Sequence, residues 1–499
     1  MRYFQRVNRT YESVSSALVR AAFFLVLFST PATSQEIALK FSLSSPLLFG
    51  TADAVKDSTA PRQSYDAWGA RKNFAVATAE VAGINGFVWS YNEFIRGGNF
   101  TTISPRSWIE NIGHGFEWDD NHFNNNNFAH PYHGSLYYAG ARSNGFSYWE
   151  SAPFAIMGSF LWECGGEIHN MAINDWINTG IGGIAIGEML YRVTNTIIDN
   201  QATGSSRVLR ETAVFLLNPL RGLNRLVSGR ASKVGPNPPD RSPIGGLSTR
   251  LMVGSRTVGE GRLLTNNQTN VFFETDFRYG NPLDSASLRP FDSFWLGLQL
   301  NFGEEGKGAL GRLNIKGNLY STDLKRTESV TNRFSIVQNF DYWNNRAFEF
   351  GGQSFGARFI SGRRLSDDAQ LQLSAEPLVI LLGAVNSEYA FLAEVPNQER
   401  EREYDYGPGA GVRVGGNLTI KGTRVVEAAY WLNWIHTLNG GDGDHLVHIA
   451  ALRVGVPISG TFGLAADWML FLRNSFFTDF TNVTQRVPQF RAYAMFNVR

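Results

Sequence analysis

The chain has 499 residues, a formal net charge of +1 and one cysteine, Cys164. The near-neutral charge provides no basic field for a polyanion, so nucleic acid is disfavoured as a partner, and a single cysteine excludes an intramolecular disulfide. Aromatic residues make up 13 % of the chain and glycine occupies 51 positions, a composition that suits the aromatic girdles and tight turns of a membrane β-barrel.

Residues 1–34 have the pattern of a secretory signal peptide. Arginines occur at positions 2, 6, 9 and 20, an apolar segment covers 21–28, and small residues precede Gln35. The apolar segment is much shorter than the roughly 20 residues that a membrane-spanning helix requires. The sequence therefore predicts export, with residues 35–64 as an extension at the mature N-terminus.

Residues 65–231 have the apolar spacing of α-helices. Apolar residues recur at three- and four-residue intervals in 74–96, 151–170, 175–199 and 208–231, which predicts four amphipathic helices. Asp175 is placed to cap the third helix, in which Gly180, Gly183 and Gly187 form a stripe that allows close approach of a partner helix. Charged residues interrupt these segments, so we predict a helical domain on the periplasmic side and no membrane-spanning helix.

The period changes to two residues after a linker at 232–246 that is rich in proline, glycine and charge. Phe294, Leu296 and Leu298, for example, alternate with other residues along one segment. A soluble β-sandwich would show the same alternation. The segments of about ten residues and the Tyr and Trp residues near segment ends instead favour a transmembrane β-barrel of an outer membrane over 247–499.

We predict about twelve antiparallel strands, with ten or fourteen as alternatives because the sixth and seventh segments alternate poorly. The fold class is thus an N-terminal helical domain followed by a C-terminal transmembrane antiparallel β-barrel. A lumen of that size is too narrow for the helical domain, which we expect to dock beneath the barrel or against the inner leaflet. The predicted strands begin near Leu247, Thr269, Phe291, Leu310, Arg333, Ala347, Gln370, Tyr404, Val425, His445, Thr461 and Gln489.

The densest polar cluster lies between residues 119 and 175 and contains four of the eight histidines. Glu163 and Glu167 share a helix face, and with His130 and His133 they are candidates for catalysis or for binding a metal or a water. No cofactor is evident, and a divalent metal is an open alternative.

A buried structural network is the competing interpretation of this cluster. In it, Arg142 and Arg192 neutralise Glu163 and Glu167. The spacing of the histidines and glutamates lacks the HExxH form that would indicate zinc. The other members of a ligand-binding or structural network are Asp119, His122, Arg142, His169, Asn174, Asp175, Glu188 and Arg192.

Three histidines lie in the barrel region, and we interpret His436, His445 and His448 as interface or loop residues. An acyl hydrolase built on the barrel wall is disfavoured, because no serine lies near the Asn439-Gly440 pair that follows His436.

Residues 65–231 resemble an uncharacterised bacterial domain family, which is known only as a domain of unknown function and is often fused to a predicted outer-membrane barrel. The resemblance implies that the polar residues are a family feature and brings no established activity. It is carried by His130-Pro131, Gly134, Tyr137, Glu163, Glu167, Asn174-Asp175, Gly182-Gly183 and Gly187-Glu188.

Two functions follow as hypotheses. The first is an outer-membrane protein for envelope transport, assembly or ligand binding, with outer-membrane lipid and another envelope protein or a lipid or glycan ligand as partners. The alternative is an envelope hydrolase that acts on lipid or glycan with His130, His133, Glu163 and Glu167.

Overall fold

The computed structural model describes residues 72–237, 241–243, 245–259, 268–284, 289–304, 307–392 and 402–498. The predicted signal peptide and the N-terminal extension lie outside these residues. Within them, helices are found up to residue 227 and the barrel strands begin at residue 247. The predicted change from helical to strand periodicity is therefore confirmed.

The helical domain contains eight α-helices and a short parallel pair of strands, β1 (Phe116–Glu117) and β2 (Met171–Ala172). Two π-helical turns, Asn125–Ala129 and Asn178–Gly182, continue directly into helices. Among the described residues, no helix combines the length and apolarity needed to traverse a bilayer. The helices are α1 Phe74–Tyr91, α2 Pro105–His114, α3 His130–Ser143, α4 Tyr148–Gly165, α5 Ile173–Ile177, α6 Gly183–Ile197, α7 Gly204–Leu217 and α8 Pro219–Val227.

Helices α3 and α6 pack closely because glycines lie between them. A Cβ atom on Gly183 would lie 2.5 Å from a backbone carbon of Gly134, and one on Gly187 would lie 2.6 Å from the ring of Tyr138. The predicted small-residue stripe is confirmed. The prediction that Asp175 caps this helix is wrong, because Asp175 lies inside α5 and its side chain is buried in the domain.

Twelve antiparallel strands form a closed barrel in which the last strand pairs with the first. This confirms the predicted strand count. Eleven of the predicted starts lie within three residues of the observed ones, and the last strand begins at 483 rather than 489. The strands are β3 Leu247–Val258, β4 Gln268–Tyr279, β5 Phe294–Phe302, β6 Leu310–Arg326, β7 Val330–Asn345, β8 Phe348–Arg364, β9 Ala369–Asn386, β10 Tyr404–Ile420, β11 Thr423–His436, β12 Gly443–Pro457, β13 Phe462–Phe477 and β14 Val483–Val498.

Ion pairs between strands that are not neighbours identify the lumen of the barrel. Arg413 of β10 pairs with Asp341 of β7, and Arg424 of β11 pairs with Asp276 of β4 at 3.1 Å. Strands so far apart in the sheet can contact each other only across the interior. Because side chains alternate along a strand, Tyr342 next to Asp341 lies on the outer face.

The helical domain packs against this outer face. Several hydrogen bonds fix it there; for example, the Tyr148 hydroxyl donates to Gln338 (2.6 Å), Asn126 donates to the Tyr404 hydroxyl (3.0 Å) and Asn178 donates to the Tyr406 hydroxyl (3.2 Å). The prediction that the domain docks beneath the barrel is therefore wrong. Its interface with the wall is a shared apolar core that contains Ile184, Ile186, Met189, Phe277, Phe294, Ile315, Phe340 and Tyr404.

This contact extends along the height of the wall. Tyr279 and Phe294 lie at the barrel end where β3 begins, because Tyr279 pairs with Leu247. Tyr404 lies at the start of β10, which is the opposite barrel end in this up-and-down topology. The domain therefore lies beside the barrel.

Side chains of the barrel fill the described part of the lumen. One layer is apolar and contains the buried rings of Trp343, Phe348 and Phe471, with Trp343 and Phe471 centred 5.6 Å apart. A second layer is charged: Arg491 donates to Asp467 at 2.7 Å, and Arg312 pairs with Glu274 at 2.9 Å. The interior of this barrel thus has a packed core.

Candidate functional site

Three helical elements bring His130, Glu163 and Asp175 together beside the barrel wall. His130 starts α3 after the first π-helical turn, Glu163 lies in α4, and Asp175 lies in α5 just before the second π-helical turn. One ligand atom from each side chain lies within 4.8 Å of the other two. Single π-helical turns inside helices are frequent at functional sites.

His130 is held from both ring nitrogens. Its Nε2 lies 3.6 Å from Oδ2 of Asp175, and its Nδ1 hydrogen-bonds with the hydroxyl of Thr179 at 3.3 Å. Asn174 donates to the other oxygen of Asp175 at 2.8 Å. Such contacts to the far side of a ligand fix its orientation at metal sites. The sequence gives no signal for Thr179, because its contact depends on the π-helical turn.

Glu163 is the most constrained group of the site. The side chain is fully buried, and one of its oxygens accepts from the backbone N–H of Ala172 at 2.9 Å. Its other oxygen has no hydrogen-bond partner among the described residues. Leaving a buried carboxylate oxygen unpaired is unfavourable, so a proton or a cation is needed there.

Burial and crowding of acids determine the electrostatics of the site. Burial, followed by the charge of Glu167, raises the pKa of Glu163 well above its usual range. Burial and the charge of Asp119 likewise raise the pKa of Asp175, and they raise that of Glu167 to about 8. A bound divalent cation would lower the pKa values of these carboxyl groups, because it favours their ionised form.

Two predicted ligands lie outside the group of three. The ring of His133 packs against Tyr137 (4.7 Å) and Trp162 (5.5 Å), and burial lowers its pKa to about 3. The Nε2 atom of His133 is buried and has no hydrogen-bond partner among the described residues. Glu167 is not one of the grouped ligands, although its carboxylate is close enough to raise the pKa of Glu163.

The predicted arginine partners belong to a separate network around Glu188. Arg142 and Arg192 donate to Glu188 at 2.7 and 2.8 Å, and Tyr138 donates to it at 2.7 Å. Arg192 also reaches Asp292 of the barrel at 3.1 Å. The prediction that these arginines neutralise Glu163 and Glu167 is wrong, because both arginines form ion pairs with Glu188.

The remaining predicted polar residues lie at the margin of the site. The backbone N–H of Asp119 donates to Asn174 at 2.9 Å. This hydrogen bond connects the segment that precedes α3 with α5. His122 is exposed, and His169 packs against Phe100 with ring centres 6.1 Å apart. These contacts position the loops around the site.

A second polar chain, which the sequence analysis missed, lies inside the barrel. His445 hydrogen-bonds with Ser475 at 2.8 Å through Nδ1 and with Asp405 at 3.1 Å through Nε2. All three residues are buried, so the chain braces β10, β12 and β13 from within. The prediction that His445 is an interface or loop residue is therefore wrong, whereas His436 and His448 are on the outer face, where they contact Asp444 and Tyr430.

The site lies in a segment with known relatives. Residues 115–220 match the family model described as Domain of unknown function (DUF3943). The DUF3943 segment includes His130, Glu163 and Asp175, as the resemblance seen in the sequence implies. No curated protein matches the chain.

Solved outer-membrane channels resemble the barrel in fold. The NanC porin is 10 % identical, with a TM-score of 0.25 over 50 % of this chain and 99 % of that chain. The Pseudomonas putida toluene transporter TodX is 9 % identical (TM-score 0.22, 52 % and 90 % covered), as is the COG4313 outer membrane channel from Pseudomonas putida F1 (TM-score 0.24, 52 % and 100 % covered). With its closed sheet and exposed apolar wall, the chain is an outer-membrane β-barrel protein that carries a DUF3943 segment.

Proposed function

We propose that this outer-membrane protein is a hydrolase that binds a divalent cation through His130, Glu163 and Asp175. The observation that carries the proposal is the buried Glu163 carboxylate, with one unpaired oxygen beside a second carboxylate and an imidazole. Among the described residues, neither Glu163 nor Asp175 forms an ion pair with lysine or arginine. A cation would supply the missing positive charge.

One nitrogen and two carboxylate oxygens suit a hydrolytic metal. Catalytic zinc sites typically use three protein ligands and leave a further position for water, and a bound cation lowers the pKa of that water towards neutrality. The side chain of His130 is partly exposed, so the group is accessible from outside the domain. Glu167, whose carboxylate lies close enough to raise the pKa of Glu163, is a candidate to exchange a proton during the reaction.

The barrel is compatible with this proposal because its filled lumen suits a membrane anchor for the helical domain. Its packed lumen argues against envelope transport by passive diffusion, one form of the first of the two hypotheses, because an apolar layer and a charged layer occupy the interior. The substrate class that we propose is a lipid or a glycan of the envelope, since these are the polymers and amphiphiles within reach of a protein in this membrane.

Metal analysis of the refolded protein tests the proposal. We expect about one bound divalent cation per chain after equilibration, and loss of that cation together with hydrolysis of envelope lipid or glycan in Glu163→Gln. Glu110→Gln is the matched control, because Glu110 is exposed and its ion pair is with Arg106 on its own helix. A correctly folded parent protein that retains no cation would overturn the proposal.

A further inference from the structure

Several helices of the domain expose apolar faces, and we propose that membrane hydrocarbon covers these faces, so that the domain is embedded in the bilayer beside the barrel. This inference is independent of the proposed hydrolase activity. It differs from the expectation of a periplasmic domain that docks beneath the barrel or against the inner leaflet. Four observations carry it.

The first observation is the outward face of α1, which carries no charge. The only charged residue of α1 is Glu80, which accepts hydrogen bonds from Asn144 (3.0 Å) and Asn224 (3.2 Å) within the domain. A helix that faces water normally carries charged or polar residues on that side. The exposed residues of α1 are instead Phe74, Ala75, Val76, Thr78, Ala79, Ala82, Gly83, Gly86 and Phe87.

The second observation is that α8 buries its charged residues and exposes its apolar ones, which is the reverse of a helix in water. Arg221 and Arg225 are buried, with 5 % and 7 % of their surface exposed, whereas Leu226 and Val227 are 57 % and 81 % exposed. The hydrophobic effect would favour the opposite arrangement if water surrounded this helix. An apolar medium outside the helix explains it.

The buried arginines keep their hydrogen bonds inside the domain. Arg207 donates to the carbonyl of Asp199 at 2.6 Å, Arg210 to that of Ile197 at 2.9 Å, and Arg221 to that of Tyr191 at 2.9 Å. The carbonyls of Ile197 and Asp199 lie at or just after the C-terminal end of α6, where cations are favoured, and that of Tyr191 lies within α6. The charges of α7 and α8 thus point inward while Val208 and Phe215 of α7 are exposed.

The third observation is the two-sided surface of α2. Trp108, Ile109 and Ile112 are exposed on one arc, and Arg106 and Glu110 form an ion pair on the opposite arc at 2.8 Å. This is the pattern of a helix that lies in the interface between hydrocarbon and water. It marks an edge of the embedded region.

The fourth observation is continuity with the barrel wall. The domain lies along the outer face of β4 to β10 and extends along the height of the wall, which is the surface that hydrocarbon surrounds in a membrane barrel. Beside it, Leu324, Phe359 and Val379 of the wall are themselves exposed and apolar. A protein partner would cover one patch, whereas the exposed apolar residues are spread over α1, α2, α4, α7 and α8. Lipid can cover all of these faces at once.

Spin labelling of the protein in phospholipid vesicles tests this inference. In a Cys164→Ala background, nitroxides at Phe87→Cys and Leu226→Cys should collide with oxygen, which concentrates in hydrocarbon, several-fold more than with a water-soluble nickel chelate. Val379→Cys on the barrel wall is the lipid control. Glu328→Cys in the turn between β7 and its neighbour β6 is the water control.

The expected result is that both helical sites match Val379→Cys. Helical sites that match Glu328→Cys would place the domain in water and overturn the inference. Sites that are shielded from both reagents would show a protein partner or a second copy on this surface, and would also overturn it. Heat-dependent migration on gels checks that each variant forms the barrel. Neither Phe87→Cys nor Leu226→Cys changes a residue of the metal group, so a failure of the hydrolase proposal would not affect this test.

Discussion

At the scale of single residues, the site depends on contacts behind its ligands. Thr179 is not within the group of three, yet its hydroxyl holds the imidazole of His130 at 3.3 Å. Replacing Thr179 with valine keeps the shape and removes this hydrogen bond. We expect Thr179→Val to weaken metal binding by about 10- to 100-fold, as removal of such contacts does at other metal sites.

Titration with zinc or manganese ions, followed by calorimetry, measures this loss. Thr212→Val is the control, because Thr212 is exposed on α7 and is not among the residues of the site. Equal affinities in the parent and in Thr179→Val would show that the histidine needs no orientation from Thr179.

Glu188 gives the second prediction at this scale, because it balances two buried arginines. Glu188→Gln leaves Arg142 and Arg192 without their full counter-charge, and breaking a buried pair in this way costs about 3–5 kcal/mol. We expect a lower midpoint of urea unfolding, whereas Glu110→Gln should change stability by less than about 0.5 kcal/mol. An unchanged midpoint for Glu188→Gln would contradict the role assigned to this network.

The sequence identified most of the site's residues but not their pairing. His130, Glu163 and Asp175 stand out as polar groups on apolar helices, and each of them was among the candidates. Their grouping depends on two π-helical turns that shift the helix register, and local spacing gives no measure of that shift. Arg142 was paired with the wrong carboxylates because its partner Glu188 is distant in the sequence. The contact of Glu188 with Arg192 has the four-residue spacing of neighbours on one helix, so the sequence did carry a signal for it.

At the scale of elements, the contact between α3 and α6 is limited by glycine. A methyl group on Gly183 would meet the backbone of Gly134, so Gly183→Ala must push the helices apart. Overpacking of this kind typically costs about 1–3 kcal/mol. We expect a lower unfolding temperature for Gly183→Ala.

Gly86→Ala is the matched control for this contact. A methyl group on Gly86 of α1 has no atom within 4 Å, so the change should stabilise the helix by about 0.5–1 kcal/mol through propensity alone. Thermal scans of both variants should therefore shift in opposite directions. Shifts in the same direction would contradict the close approach of α3 and α6.

The strands show why two of them were hard to recognise. β8 and β9 alternate poorly because apolar side chains occupy both of their faces. Phe348, Phe350, Leu378 and Ile380 belong to the apolar layer of the lumen, so the lumen-facing set does not contrast with the apolar outward-facing set. The weak period was thus a sign of the apolar layer, although one sequence cannot show that this layer fills a lumen.

At the scale of the whole molecule, the packed lumen determines how the barrel behaves in a membrane. Trp343 and Phe471 meet across the interior, and Arg491 contacts Asp467 and Glu274 below them. We expect the protein to give no stable conductance steps in planar bilayers. A steady single-channel current with the refolded protein would contradict the closed scaffold and revive the transport hypothesis.

The sequence predicted the two domains and the number of strands, but it did not predict where the helical domain packs against the barrel. Alternation over 247–499 gave the barrel and its twelve strands, because the period of a strand is a local property. The position of the helical domain depends on contacts between residues far apart in the chain, such as Tyr148 with Gln338. No local pattern records such a contact.

The order of the chain has a consequence for how the molecule is built. The helices are synthesised before the wall on which they rest, and that wall is complete only when β14 pairs with β3. Until then Phe87, Leu226 and Val227 have no apolar surroundings, and a chain in transit through water needs a chaperone to keep them apart from other chains. The helical domain is thus synthesised before the barrel but can dock only after the barrel has closed.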